Sequence, residues 1–178
     1  QYKMFDRSNL SIMFINKQAT KNYDFLDEQD RYNRVLGLDY RLASKNNTWI
    51  GKYFLHKSFS PGSSDKEFSA GASTEYLSKN WNIRMSGVFI GENFRSDLGF
   101  IKRTDVLKIS PQIQRAFWPK KGNIQKYTLS FTPFYFWKPE INFENSDYTL
   151  LTKWGASFRN SSQLEVEMFN RYTHLYDD

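Results

Sequence analysis

The sequence predicts an all-β fold, an antiparallel up-and-down transmembrane β-barrel, and about nine of its strands can be recognised in the chain. Three observations predict this fold. Apolar and polar side chains alternate with a period of two along each segment. The segments are about ten residues long, which is close to the length of a tilted strand that crosses a bilayer. Long and short polar connections alternate between the segments.

The clearest segment is 127–137. Thr128, Ser130 and Thr132 begin its polar face, which becomes aromatic only near the end of the segment. The opposite face is apolar throughout and has aromatic residues at both ends. Because aromatic side chains concentrate where barrel strands meet the two membrane interfaces, this pattern predicts a membrane-crossing strand. The apolar face consists of Tyr127, Leu129, Phe131, Pro133, Tyr135 and Trp137.

The remaining segments follow the same pattern in chain order. Residues 1–5 are expected to end an earlier strand, and the first full segment is less regular because Met13 and Ile15 lie on its polar side. Long connections follow the first, third, fifth and seventh strands, and short connections follow the second, fourth, sixth and eighth. A sandwich with Greek-key crossovers has no reason to keep this order. The predicted strands are 10–17, 33–43, 48–59, 67–77, 81–90, 105–118, 127–137, 147–158 and 163–172.

The alternation also assigns a direction to each side chain. Charged groups are costly in a dry core, but they can line a wet lumen or pair across it. The residues predicted to face the lumen are Asp39, Arg41, Lys52, His56, Glu75, Arg84, Lys108, Lys153, Glu165 and Glu167. The residues predicted to face lipid are Leu36, Leu38, Tyr40, Trp49, Tyr53, Leu55, Ile83, Met85, Leu129, Phe131, Tyr135 and Trp154.

Two prolines, Pro111 and Pro133, fall inside predicted strands. Proline cannot donate a hydrogen bond to a neighbouring strand, so it normally marks an edge or a bulge. Both prolines belong to the apolar set of their strands. We therefore expect a local bulge at each.

The composition excludes several classes of protein. Hydrophobic residues make up 39% of the chain and aromatic residues 18%, which fits a thin apolar shell around a polar interior. No run approaches the roughly 20 apolar residues of a membrane helix, so a helical membrane protein is excluded. The absence of cysteine excludes disulfides and thiolate metal sites. The net charge of +6 comes from Lys and Arg that are not clustered, which argues against a nucleic-acid partner.

No residue pattern predicts catalysis, and we expect no enzyme activity, no cofactor and no specific metal site. His56 is interpreted as a hydrogen-bonded lumen histidine. Glu165 and Glu167 are interpreted as lumen charges rather than a glycosidase pair. A cluster of carboxylates in the first long loop could attract a hard cation, although its spacing matches no standard calcium loop; it comprises Asp24, Asp27, Glu28 and Asp30.

Three stretches, 33–40, 57–62 and 93–105, together resemble a family of Gram-negative outer-membrane barrels of unknown function. The third stretch is the most specific, because it resembles a loop signature of Phe, an acidic residue, Gly-Phe and Arg. In that family the barrel follows an N-terminal β-sandwich similar to a carbohydrate-binding module, which this sequence lacks. The resemblance implies a fold and a location, and no catalytic residues. The signature residues are Phe94, Asp97, Gly99, Phe100 and Arg103.

The leading hypothesis is therefore a non-enzymatic barrel segment of the bacterial outer membrane, acting as a pore, a transporter part or a subunit of an envelope complex. Its expected partners are outer-membrane lipid and lipopolysaccharide, or other envelope proteins, and no nucleic acid. Because the number of strands is odd and the N-terminal β-sandwich of the family is missing, we expect further strands beyond one or both ends. Two alternatives remain open: a soluble β-barrel that binds a small hydrophobic ligand, and an outer-membrane barrel enzyme.

Overall fold

The structure is a computed structural model that describes residues 2–4, 7–21, 27–62 and 65–174. Its strands form one antiparallel sheet in which each strand pairs with the next one along the chain. The order of strands across the sheet is therefore the order in the sequence, which is an up-and-down topology. The strands are β1 (Tyr2–Met4), β2 (Ser8–Gln18), β3 (Tyr32–Ala43), β4 (Trp49–Phe59), β5 (Phe68–Leu77), β6 (Trp81–Ile90), β7 (Val106–Phe117), β8 (Ile124–Lys138), β9 (Glu144–Phe158) and β10 (Gln163–Thr173).

The all-β, up-and-down antiparallel fold that the alternation predicts is confirmed. Each of the nine predicted segments coincides with one of the strands from β2 to β10, and the short β1 coincides with the expected end of an earlier strand. β8 and β9 begin earlier than predicted, at Ile124 and Glu144. The sheet is open within the described residues, because β1 and β10 form its two edges and do not pair with each other.

The connections alternate in length only over the first part of the sheet. Those at 19–31, 60–67 and 91–105 are long, and those at 44–48 and 78–80 are short. The prediction of a long connection after the seventh strand is wrong. That segment, 139–143, is shorter than the connection before it, because β8 and β9 extend further than the sequence pattern indicates and pair up to Lys138 and Glu144. Within the described residues, none of the helical segments has the length and apolar character to cross a bilayer.

The predicted bulges at the two prolines are also wrong. The pairs Ile109–Tyr135 and Ile113–Phe131 on either side have the same register, which places Pro111 opposite Pro133. At this position an antiparallel pair would exchange two hydrogen bonds, and neither proline has an N–H group to donate. The ladder between β7 and β8 is therefore interrupted at mid-strand without a change of register. The bulges lie instead between β8 and β9, near the two ends of β8.

Candidate functional site

The two faces of the sheet differ in chemistry. The face that carries Leu36, Leu55 and Met85, here called the outer face, exposes large apolar side chains on every strand from β2 to β10. Met85, for example, is 59% exposed at the middle of β6. Nine of the residues predicted to face lipid are exposed on this face, and three tyrosines are half-buried against their neighbours. The exposed ones are Leu36, Leu38, Trp49, Leu55, Ile83, Met85, Leu129, Phe131 and Trp154, and the half-buried ones are Tyr40, Tyr53 and Tyr135.

Aromatic residues form two bands on the outer face, one along each rim. At the rim with the short connections, Trp49 packs on Tyr76 with ring centroids 5.1 Å apart. Arg115 extends its guanidinium over Trp81 in the same band, 4.8 Å from the ring centroid. The residues between the bands are mostly aliphatic. The short-connection band consists of Trp49, Tyr76, Trp81, Phe117 and Tyr127, and the long-connection band of Phe59, Phe68, Phe89, Trp137, Tyr148 and Tyr172.

The opposite, inner face carries small polar and charged side chains. Ser58 and Ser69 are almost fully buried there, and Ser86 donates a hydrogen bond of 3.0 Å to the carbonyl of Ser110. All ten residues predicted to face the lumen lie on this face by strand alternation. Their exposure varies: Glu75 is buried, five are half-buried, and the other four, Arg41, Lys52, Glu165 and Glu167, are exposed. The polar face thus contains buried serines while the apolar face exposes large side chains, which reverses the arrangement usual in a sheet with one face in water.

Ion pairs connect neighbouring strands across the inner face. Glu75 on β5 lies directly opposite Arg84 on β6, and one guanidinium nitrogen contacts both carboxylate oxygens at 2.9 and 3.0 Å. Lys153 on β9 bonds Glu167 on β10 and lies 3.6 Å from Glu165. Pairing of this kind reduces the free-energy cost of placing charges where water is limited.

His56 contacts three neighbouring residues of the inner face. Its Nε2 lies 3.4 Å from the Asp39 carboxylate, and its ring covers Gly37, where a Cβ would lie only 2.8 Å from the ring. Phe54 similarly covers Gly71 on the next strand, and packs on the His56 ring with centroids 4.8 Å apart. The serine opposite His56 in the register, Ser69, donates its hydroxyl to a backbone carbonyl on β6. The Ser69 hydroxyl is therefore not positioned beside the imidazole for nucleophilic attack.

The loop 91–105, which contains the family-like signature, folds onto the inner face at the long-connection rim. Asp97 accepts hydrogen bonds from Lys17 at 2.6 Å and from Arg95 at 2.5 Å. Arg95 also bonds Asp30 at 2.5 Å. Asn33, which is 2% exposed, donates to the Arg95 carbonyl and accepts from the Asp97 amide. These contacts join the loop to the ends of β2 and β3 and to the segment before β3.

The end of the same loop contacts β9, which lies near the opposite edge of the sheet. Arg103 donates to the Asp147 carboxylate at 2.7 Å and to the Ser146 hydroxyl at 3.3 Å, at the beginning of β9. The five signature residues therefore have different environments. Phe94 is buried, Asp97 and Arg103 are held in polar networks, and the amide of Gly99 bonds within a tight turn, whereas Phe100 is 90% exposed.

The polar network also shifts two pKa values in the loop. Burial alone would raise the pKa of Asp97, but the hydrogen bonds from Lys17 and Arg95 outweigh it and hold the pKa below its usual value of 3.8. The hydrogen bonds to Asp30 and Asp97 raise the pKa of Arg95 above its usual value. Both shifts favour the charged forms, so the network is ionised at neutral pH.

The acidic cluster of the first long loop is only partly described, because Asp24 lies outside the described residues. Asp30 is held by Arg95, and Glu28 lies 3.9 Å from Arg31. Among the described residues, no group of three or more His, Asp or Glu side chains is placed to hold a metal ion.

Sequence reasoning missed the two residues at the centre of the loop network, Asn33 and Arg95. Both occur within the stretches that carry the family resemblance, so the signal was present, but alternation alone gives no partner to a polar residue. Compared with family models, with curated proteins and with solved structures, the chain gives no match. The resemblance to the outer-membrane family therefore stays a prediction.

Proposed function

We propose that the chain is a membrane-spanning β-barrel component of the bacterial outer membrane, without enzyme activity, that serves as a pore, a transport element or a subunit of an envelope complex. Lipid and lipopolysaccharide would contact its outer face. Other envelope proteins could join it at the sheet edges.

The observation that carries the proposal is the outer face: an aliphatic zone bounded by two aromatic bands, with exposed apolar side chains on every strand from β2 to β10. In water, so large an exposed apolar surface would promote association. In a bilayer, the aliphatic zone would meet hydrocarbon and the bands would meet the two interfaces. Arg115 beside Trp81, and Lys57 beside Phe59, have the snorkelling geometry expected at those interfaces.

The inner face supports the same function. Its buried serines and paired charges suit a wet or protein-filled interior, and a soluble barrel that encloses a hydrophobic ligand would instead need an interior that is apolar along most of its length. A barrel enzyme would need a nucleophile beside a base, and the Ser69 hydroxyl bonds elsewhere. The proposal also requires that the edges β1 and β10 be paired in the membrane, because an open edge cannot face hydrocarbon.

Lipid exposure of the outer face can be tested with single-tryptophan variants. The five native tryptophans are replaced by phenylalanine. One new tryptophan is then placed either at Leu129 on the outer face or at Gln114 on the inner face. In vesicles of brominated phosphatidylcholine, we expect strong quenching of fluorescence for Leu129→Trp and weak quenching for Gln114→Trp. Equal quenching of both, or a monomer that stays in buffer without detergent, would refute the proposal.

A further inference from the structure

The inner face is not uniformly polar. On the half formed by β6 to β10, beneath the end of the loop 91–105, the structure contains a cavity of about 670 Å³. Its apolar side chains come from three adjacent strands, namely Val88 and Ile90 on β6, Val106 on β7 and Phe136 on β8. Val106 is only 6% exposed. This apolar recess differs from the rest of the inner face, which is rich in serine and ion pairs.

The charges around this cavity are unbalanced. Among the described residues that line it, the one carboxylate is Asp147, which is already paired with Arg103. Lys102, Lys108 and Arg171 also line the cavity, and among the residues that the structure describes none of the three has an ion-pair partner. The described lining of the cavity therefore has a surplus of positive charge.

Lys108 is the best placed of the three cations. Its Nζ lies over the rings of Phe134 and Phe136, 5.0 and 5.4 Å from their centroids. These contacts fix the ammonium group at the apolar wall and shield it in part from water. A charge in such a position interacts more strongly with an incoming anion than a solvated surface charge does. Arg171 lies at the open side, with its guanidinium 5.8 Å from the Phe169 ring centroid.

We propose that this cavity binds an organic anion whose apolar body lies against Val88, Val106 and Phe136, and whose carboxylate or phosphate group pairs with Lys108 and Arg171. Apolar walls combined with charged groups that orient the ligand are a usual composition of small-molecule sites. The site does not depend on whether the outer face meets lipid, so it can succeed or fail independently of the proposed membrane location.

The probes are 2-naphthoate, 2-naphthyl phosphate and the uncharged 2-naphthamide, with the chain held in a zwitterionic detergent. Binding is followed by equilibrium dialysis. We expect saturable binding of one or both anions, and at least tenfold weaker binding of the amide. Preference for the carboxylate or for the phosphate identifies which headgroup the site takes. Absence of saturable binding by both anions, or equal binding of the amide, would overturn the proposal.

The matched pair of variants is Lys108→Gln and Lys52→Gln. Both remove one lysine of the inner face, but Lys52 lies at the opposite rim, outside the cavity. We expect Lys108→Gln to weaken anion binding at least tenfold and Lys52→Gln to change it less than twofold. Arg171→Gln, at an exposed edge position, gives a second test if Lys108→Gln does not fold, and we expect it to weaken binding at least threefold. Equal effects of the cavity variants and Lys52→Gln would show that only the general charge matters, and would overturn the site.

Discussion

The outer and inner faces of this sheet are built from the same strands, residue by residue in alternation. The two faces differ in which of their side chains are exposed and which are buried. The outer face leaves leucine, isoleucine, methionine and phenylalanine exposed. The inner face buries serines and pairs its acids with bases, as Glu75 does with Arg84. In a water-soluble sheet the burial of the two faces would be reversed. The comparison teaches that burial in this sheet does not follow the polarity of the side chains.

The largest expected effect comes from placing a charge on the outer face. If Met85 at mid-β6 faces hydrocarbon, we expect Met85→Arg to lower the free energy of unfolding in lipid vesicles by about 2–4 kcal/mol. The same change at a water-exposed position would stay within about 0.5 kcal/mol. The control is Gln114→Arg, on the inner face of β7, which should change stability by less than about 1 kcal/mol. Similar losses of unfolding free energy for Met85→Arg and Gln114→Arg would show that the two faces do not differ in their surroundings.

The loop network of the inner face should give the next largest effect. Asn33 is 2% exposed and forms three side-chain hydrogen bonds, to Ser60, to the Arg95 carbonyl and from the Asp97 amide. Because Asn33→Ala leaves these groups without partners, we expect it to lower the free energy of unfolding by about 2–3 kcal/mol. It should also make the loop susceptible to limited proteolysis. Thr104→Ala, at an exposed position of the same loop, should change neither measurement. Unchanged proteolysis in Asn33→Ala would contradict the view that Asn33 holds the loop in place.

The Glu75–Arg84 pair should give a smaller effect. Arg84→Gln leaves the buried Glu75 carboxylate without its cation, so we expect a loss of about 1–2 kcal/mol. Glu75→Gln combined with Arg84→Gln should recover part of that loss, because no unpaired charge remains. A double-mutant cycle in chemical unfolding measures the coupling. Strict additivity of the two changes would show that the pair contributes nothing.

Restoring the interrupted hydrogen-bond ladder between β7 and β8 should raise the stability of the protein. Pro111→Val with Pro133→Val restores two N–H donors to the seam. Each new hydrogen bond is worth about 1 kcal/mol, part of which is lost because the unfolded chain becomes more flexible. We expect a net gain of about 1 kcal/mol and slower amide hydrogen exchange at Ile109 and Ile113. Unchanged exchange at both positions would mean that the prolines do not weaken the seam.

The smallest expected effect is confined to acid pH. Since the folded state lowers the pKa of Asp97, its contribution to stability is present above the usual value of 3.8 and is lost as pH falls through the lowered value. We therefore expect the attachment of the loop to weaken below about pH 4, as seen by limited proteolysis with an acid protease. Asp97→Asn should remove this pH dependence and loosen the loop at neutral pH. A variant that retains the wild-type acid profile would rule out Asp97 as its source.

The sequence by itself determined the all-β, up-and-down antiparallel topology, the nine main strands and which side chains share a face, because a period of two translates directly into strand and face. It could not determine the ladder gap at Pro111 and Pro133, since their pairing depends on the register of two strands. It also predicted a long connection after the seventh strand, which the extension of β8 and β9 makes short.

Only the tertiary structure decided which polar residues meet. Arg95 contacts Asp30, and Lys17 contacts Asp97, across 65 or more residues of sequence. The cavity likewise joins Val88 and Arg171 from strands far apart in the chain. Alternation fixes the face on which a side chain lies, but the folding of the loop 91–105 across the sheet fixes its partners. The physical reason is that the period of a strand is a local property of the backbone, whereas ion pairs and cavities depend on which strands and loops approach in space.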